Sequence, residues 1–189
     1  LSLCNKNFQN INNDDSSNAK HNLLLDVCLA AKHEGESLNT YSAQYDSKYP
    51  GSGFTLCTML ARSFADIGDI VRGKDLYLGK KKKKQNEKET ERDQLESKLK
   101  EIFQQIHSGL SKNGAEARYG SDTKNFYQLR EDWWTANRAT VWKAITCNAK
   151  GFNYFRQTAC NGGSPTKGYC RCDGDQVPTY FDYVPQFLR

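Results

Sequence analysis

Eighteen residues from Arg130 to Cys147, REDWWTANRATVWKAITC, hold three tryptophans and two arginines without a glycine or proline. Nothing in the run breaks a helix, so it reads as one, capped near Asp122 or Asn125 and continuing to about Cys147. Phe126, Leu129, Trp133, Ala136, Thr140 and Ala144 recur on one face, with Trp134, Asn137, Val141 and Ile145 beside them. A helix apolar over most of its circumference is a central one and needs other helices around it. Stacking bases or sugars would need exposed rings, yet each Trp has apolar neighbours three and four residues away. The tryptophans are therefore assigned to the core. Arg130 and Arg138 are carried in with them and are expected to find carboxylates such as Asp66, Asp69, Glu131 or Asp132.

The partner helices are legible by period. His21–Glu34 places Leu24, Val27, Cys28 and Ala31 at helical spacing, with Gly35 as its stop and a loop rich in Tyr, Ser and Gly after it. Residues 54–72 carry Cys57, Leu60, Ala61, Phe64, Ile67 and Val71 on one stripe, with Arg62, Asp66 and Asp69 opposite, spaced to exchange charge along the helix. A third helix over about 86–110 sets Leu95, Leu99, Ile102, Phe103, Ile106 and Leu110 against a charged remainder, with stop signals at Gly109 and Asn113-Gly114. Its many acids argue for packing in a bundle and against a membrane surface. The fold class is mainly α: a disulfide-stapled helical bundle over about 54–147, with loop-rich stretches over about 1–55 and parts of 147–180. Its core is expected at Phe64, Ile67, Leu129, Trp133, Trp134, Val141 and Trp142.

Seven cysteines in 189 residues, Cys4, Cys28, Cys57, Cys147, Cys160, Cys170 and Cys172, exceed ordinary cytosolic usage and read as a disulfide framework. Zinc would want CxxC pairs or histidines at finger spacing. Only the CxC of Cys170 and Cys172 is close, and no His follows His107. A one-residue spacer strains a disulfide, so Cys170 and Cys172 should each pair elsewhere. The count is odd, which leaves one thiol free or paired outside the chain. Together with Pro185, a good first helical residue four positions before the last one, this points to an incomplete domain.

Charge is modest and uneven. The formal net charge is +5, but Lys80, Lys81, Lys82, Lys83 and Lys84 are consecutive, with Lys74, Lys98 and Lys100 nearby in sequence. Such a run is either a solvated loop or a polyanion patch. Nucleic acid is a poor partner for a disulfide-rich chain, so a sulfated glycan is the better reading. Mean hydropathy of −0.81 and the absence of a long apolar run give no membrane-spanning segment and no signal-like start. Catalytic chemistry finds little support. His21, His33 and His107 stand beside no nucleophile signature, a surplus thiol near His33 would be the one nucleophile to consider, and the glycines form neither a phosphate loop nor a dinucleotide fingerprint. No cofactor or metal is expected, and the residues by themselves point to a nonenzymatic extracellular binding domain.

Four blocks sharpen this. LARSFADIGDIVRGKDLYLG (60–79), FYQLREDWWTANRATVWKAITC (126–147), YFRQTAC (154–160) and CRCDGDQVPTYFDYVPQFLR (170–189) closely resemble the Duffy-binding-like domain of the malaria parasite. The resemblance is to its alpha type, which heads the erythrocyte membrane protein one adhesins of Plasmodium falciparum. It implies a helical domain whose mixed first subdomain and second bundle are present, as a partial domain over residues 1–189, with the third subdomain absent after 189. It also implies display on the extracellular face of the infected erythrocyte membrane, anchored by a segment outside this chain and next to neighbouring domains of the same adhesin. The partners implied are host erythrocyte or endothelial receptors, in rosetting and cytoadherence, including heparan sulfate-like glycans, blood-group sugars and complement receptor one. The lysines named above are then the candidate glycan-binding residues, on a variable surface. The alternative is a structural spacer that only positions adhesive neighbours.

Overall fold

The tryptophan-rich segment is a central helix, and the other elements are best described by what they place against it. The computed structural model describes residues 19–49, 56–75, 91–111, 116–154, 156–174 and 176–189. Its helices are α1 (Ala19–Lys48), α2 (Leu56–Arg72), α3 (Glu91–Ser111), the single turn α4 (Glu116–Tyr119) and α5 (Tyr127–Ile145). After α5 the chain holds only short 3-10 turns and isolated β-bridges, and no strand forms among the described residues. The architecture is mainly helical, and α1 and α2 pack on α5 while α3 closes over α1 and α5. No helix among the described residues is long and apolar enough to cross a membrane.

Close approach of α5 to both neighbours depends on two glycines inside helices. A Cβ on Gly35 would stand 2.0 Å from the Ile145 carbonyl oxygen, so α1 crosses the end of α5 at backbone contact. A Cβ on Gly68 of α2 would stand 2.8 Å from the Trp134 ring, which packs against that bare backbone. Trp134 is fully buried, with Phe64 at 5.1 Å between ring centroids. Trp142, also buried, meets Phe64 edge-on at 5.2 Å, and Trp133 meets Phe103 of α3 edge-on at 6.2 Å. Ile67, Leu129 and Val141 lie in the same cluster.

Gly35 corrects the reading of α1. It is not a stop, and residues 36–48, read as loop, continue the helix without a break. The polar residues do not unravel it because their hydroxyls bond within it: Thr40 Oγ1 donates to the Glu36 carbonyl at 3.1 Å and Ser47 Oγ to that of Ala43 at 2.9 Å. Part of the supposed loop-rich flank is therefore a helix of 30 residues. The start of α5 is also different from the expected one. Its N-cap is Phe126, in the left-handed region at φ 55°, rather than Asp122 or Asn125. Asp122 still performs the capping at a distance, its Oδ2 accepting the Leu129 N–H at 2.9 Å.

The buried arginines choose other partners than the acids expected. Arg130 of α5 is fully buried and donates to both carboxylate oxygens of Glu96 on α3, at 2.7 and 2.8 Å. It also donates to the Val71 and Ile70 carbonyls at 2.6 and 3.1 Å, so it caps the C-terminus of α2 where Gly73 turns away at φ 71°. Arg138 donates twice to Asp182, at 2.8 Å each, and Trp134 Nε1 donates to the same carboxylate at 2.9 Å. Asp66 and Asp69 instead receive Arg189, and Asp69 also pairs with the buried Arg72 at 2.9 Å. Asp69, read as part of a charged outer face, is in fact buried. The reason is that residues 181–189 fold back over that side of α2 and cover it.

Two disulfides tie the irregular segment down. Cys57 at the head of α2 pairs with Cys170, and Cys160 pairs with Cys172. Cys28 is half-buried and unbonded, with burial pushing its thiol up, and Cys147 is unbonded and exposed. Cys4 lies outside the described residues.

Candidate receptor-binding surface

The sequence-predicted lysines are not gathered into one open patch among the described residues. Lys74 follows α2 and pairs with Glu131 of α5. Lys100 on α3 lies 3.9 Å from Glu96, which it shares with Arg130. Lys98 is half-buried on the same helix. Lys80, Lys81, Lys82, Lys83 and Lys84 fall outside the described residues. Two of the described lysines are thus already compensated by neighbouring acids, which lowers what each could offer a polyanion.

Two surface features were not visible as motifs. The first is a cleft of about 200 Å³ between the end of α2 and the chain's last residues, lined by Asp69, Arg72, Lys74, Tyr183 and Phe187 among others. Arg72 forms its floor. Its guanidinium pairs with Asp69, donates to the Asp182 carbonyl and lies 5.4 Å from the centroid of the Tyr183 ring. Arg138 lies 5.3 Å from the same centroid, so Tyr183 sits over two cations. Phe187 at the rim is 73% exposed. A signal did exist in the sequence. The lone acid of PTYFDYVPQ, Asp182, sits in an otherwise uncharged run, and a buried arginine without an acid of its own needed such a partner.

The second feature is a tyrosine ladder at the end of α1 and the residue that follows it. Tyr41, Tyr45 and Tyr49 follow at i, i+4 and i+8, with ring centroids 6.2 and 5.0 Å apart. Tyr41 and Tyr49 are each about half exposed. The ladder continues the stripe that buries Leu23, Val27, Ala31 and Leu38 further up the helix. Because residues 36–48 were read as loop, no face was assigned to them.

The short turn α4 is fastened to α5 by Asp132. It accepts from Arg118 at 2.7 and 2.9 Å and from the Tyr119 hydroxyl at 2.8 Å. The Arg118 hydrogen bond holds the Asp132 carboxyl below the usual carboxylate range. A depressed folded-state value stabilises the fold above the unfolded-state pKa and loses that contribution as pH falls through the folded one. Asp132→Asn should therefore lower the urea midpoint at neutral pH, with the difference from the parent closing in acid and shrinking in high salt. Equal midpoint shifts across the pH range would show that the ion pair is not the cause.

The chain matches the Duffy binding domain family over residues 1–189. It belongs to that family. Three solved structures extend the match. The NTS-DBL1(alpha-1) domain of the Plasmodium falciparum membrane protein 1 (PfEMP1) from the varO strain is 38% identical, with a TM-score of 0.75 over 98% of this chain. The ICAM-1-binding PfEMP1 IT4var13 DBLbeta domain is 29% identical with a TM-score of 0.69, and the same domain bound to ICAM-1 gives 27% and 0.66; both cover 98% of this chain. The present chain spans only 39–40% of those structures. No curated protein sequence matches it. The helices α1, α2, α3 and α5, joined to a disulfide-fastened tail, are thus a Duffy-binding arrangement, and the tryptophans of α5 belong to its scaffold.

Proposed function

We propose that this Duffy-binding chain is part of an extracellular adhesion domain, displayed on the surface of parasite-infected erythrocytes and anchored through a segment outside it. The observation that carries this is its 38% identity, over nearly its whole length, to the NTS-DBL1(alpha-1) domain of the P. falciparum membrane protein 1. The ICAM-1 complex of a more distant relative supports a host receptor as the partner. The finer reading assigns sulfated glycans of the host cell to the basic run Lys80–Lys84, flanked by Lys74, Lys98 and Lys100. Because Lys74 and Lys100 are paired with Glu131 and Glu96, most of this affinity is assigned to the run itself.

The test is retention of the oxidised domain on heparin across a salt gradient, beside a variant carrying glutamine at Lys80, Lys81, Lys82, Lys83 and Lys84. The expected result is earlier elution and a salt dependence flattened by roughly one unit for each lysine that contacts a sulfate. Unchanged retention removes the glycan assignment and moves the search to protein receptors. A folded domain that binds neither heparin nor erythrocytes supports the spacer role instead.

A further inference from the structure

The segment between Cys160 and Ser164 carries an Asn-Gly-Gly sequence, Asn161–Gly162–Gly163, that neither the bundle nor the adhesion reading uses. We propose that Asn161 is a site of spontaneous deamidation, converting with time to a mixture of isoaspartate and aspartate.

The chemistry needs three things: an asparagine free to bring its side-chain carbon to the next backbone nitrogen, a following residue without a side chain in the way, and an N–H not held by a hydrogen bond. All three meet here. Asn161, Gly162 and Gly163 are exposed, and a Cβ built on either glycine would meet nothing within 4 Å. Gly162 and Gly163 adopt φ of 75° and 73°, backbone that only glycine enters freely. Gly163 N donates to the Cys160 carbonyl at 3.1 Å, but the Gly162 N–H, the nucleophile, donates to no group among the described residues.

Other described asparagines lack this combination. The residue after Asn153 donates its N–H to Thr166 Oγ1 at 2.7 Å, and the residue after Asn148 donates to the Thr146 carbonyl at 3.2 Å. Asn22, Asn39 and Asn137 lie inside α1 and α5, where the next N–H belongs to the helical ladder. Asn125 precedes Phe126, whose ring packs 5.5 Å from that of His107.

The step balances with water alone. The Gly162 nitrogen loses its proton to solvent base and forms a bond to Asn161 Cγ. The Cγ–Nδ2 bond breaks, ammonia leaves and a five-membered succinimide remains. Water opens it at either carbonyl, giving aspartate or isoaspartate with no change of oxidation state. The product adds a negative charge to a chain of formal net charge +5, and the isoaspartate form adds a methylene to the backbone. The flanks are fixed: Asn161 N–H donates to Gln176 Oε1 at 2.6 Å, Cys160 N–H to the Ser164 carbonyl at 3.0 Å, and Cys160 is bonded to Cys172. The extra methylene therefore falls inside a closed turn and displaces the tip rather than being absorbed along the chain. An exposed epitope at this turn would change shape and charge as the protein ages, with no change in its gene.

The experiment is incubation of the oxidised, folded domain in mildly alkaline buffer at physiological temperature, followed by proteolysis in weak acid and mass spectrometry. The fragment with Asn161 should gain the mass of amide-to-acid exchange and split into two chromatographic forms. It should do so at least about tenfold faster than the fragment with Asn153, a barrier lower by about 1.4 kcal/mol. An Asn161→Gln chain, altered only at an exposed tip, should show no such gain in that fragment. Conversion of Asn161 no faster than Asn153 in the folded parent overturns the proposal, because the turn would then be protecting the residue.

Discussion

Replacing Cys57 and Cys170 together by alanine is expected to remove about 4–5 kcal/mol of unfolding free energy, measured by urea unfolding against the oxidised parent. The bond joins residues 113 apart in sequence, so in the unfolded chain it closes a loop that takes in α2, α3 and α5. Both cysteines are fully buried, and the Cys170 carbonyl also accepts Trp142 Nε1 at 3.2 Å. Packing is therefore lost along with the loop constraint. Cys160–Cys172 supplies the comparison, closing a loop of 12 residues, and its removal should cost about 3 kcal/mol or less. For a domain whose total is about 5–15 kcal/mol, the first loss takes much of the margin and the second leaves a folded protein. Equal losses at the two sites would mean that local packing, not the size of the loop, sets the value.

Arg130→Met should be nearly as severe, about 3–5 kcal/mol by the same assay, because it strands groups that have little access to water. Glu96, itself mostly covered, would keep a charge with only Lys100, at 3.9 Å, beside it among the described residues. The Val71 carbonyl at the end of α2 would lose its donor, while that of Ile70 would keep the Gly73 N–H at 3.1 Å. The pairing of Arg130→Met with Glu96→Leu separates these contributions. If the stranded carboxylate dominates, the double variant recovers a large part of the loss; if the helix cap dominates, it recovers little. A single variant within about 0.5 kcal/mol of the parent would contradict the geometry described for this residue.

These two sites show what could be read from residue order and what could not. The core role of Trp133, Trp134 and Trp142 follows from apolar neighbours at helical spacing, and so does the existence of α2, α3 and α5. That Arg130 and Arg138 need acids also follows, because a charge in a core helix must be compensated. Which acids they take does not follow, since Glu96 and Asp182 lie 34 and 44 residues away and only the path of the chain brings them in. Gly35 was misread because a glycine that ends a helix and one that admits a neighbouring backbone look alike in sequence. Asp69 was misplaced for the same kind of reason: its spacing on α2 marks a polar face, and nothing local reveals that the tail will cover it. The binding surface was the least legible part. A lysine in the sequence states a charge, while the usefulness of one such as Lys74 depends on acids such as Glu131 that lie beside it only after folding.

The return of the tail to α2 also sets an order of events during synthesis. Cys170, Asp182 and Arg189, which bond to α2 or cover it, leave the ribosome more than a hundred residues after their partners on it. At about 5–20 residues per second, Cys57 waits roughly 6–23 s for its partner, with Cys28 already made and Cys147 and Cys160 arriving first. During that interval the growing chain presents an apolar helix and a choice of wrong thiols. Correct pairing therefore depends on the redox conditions around the growing chain as much as on the finished fold, and yields of the recombinant domain should follow those conditions more closely than the temperature.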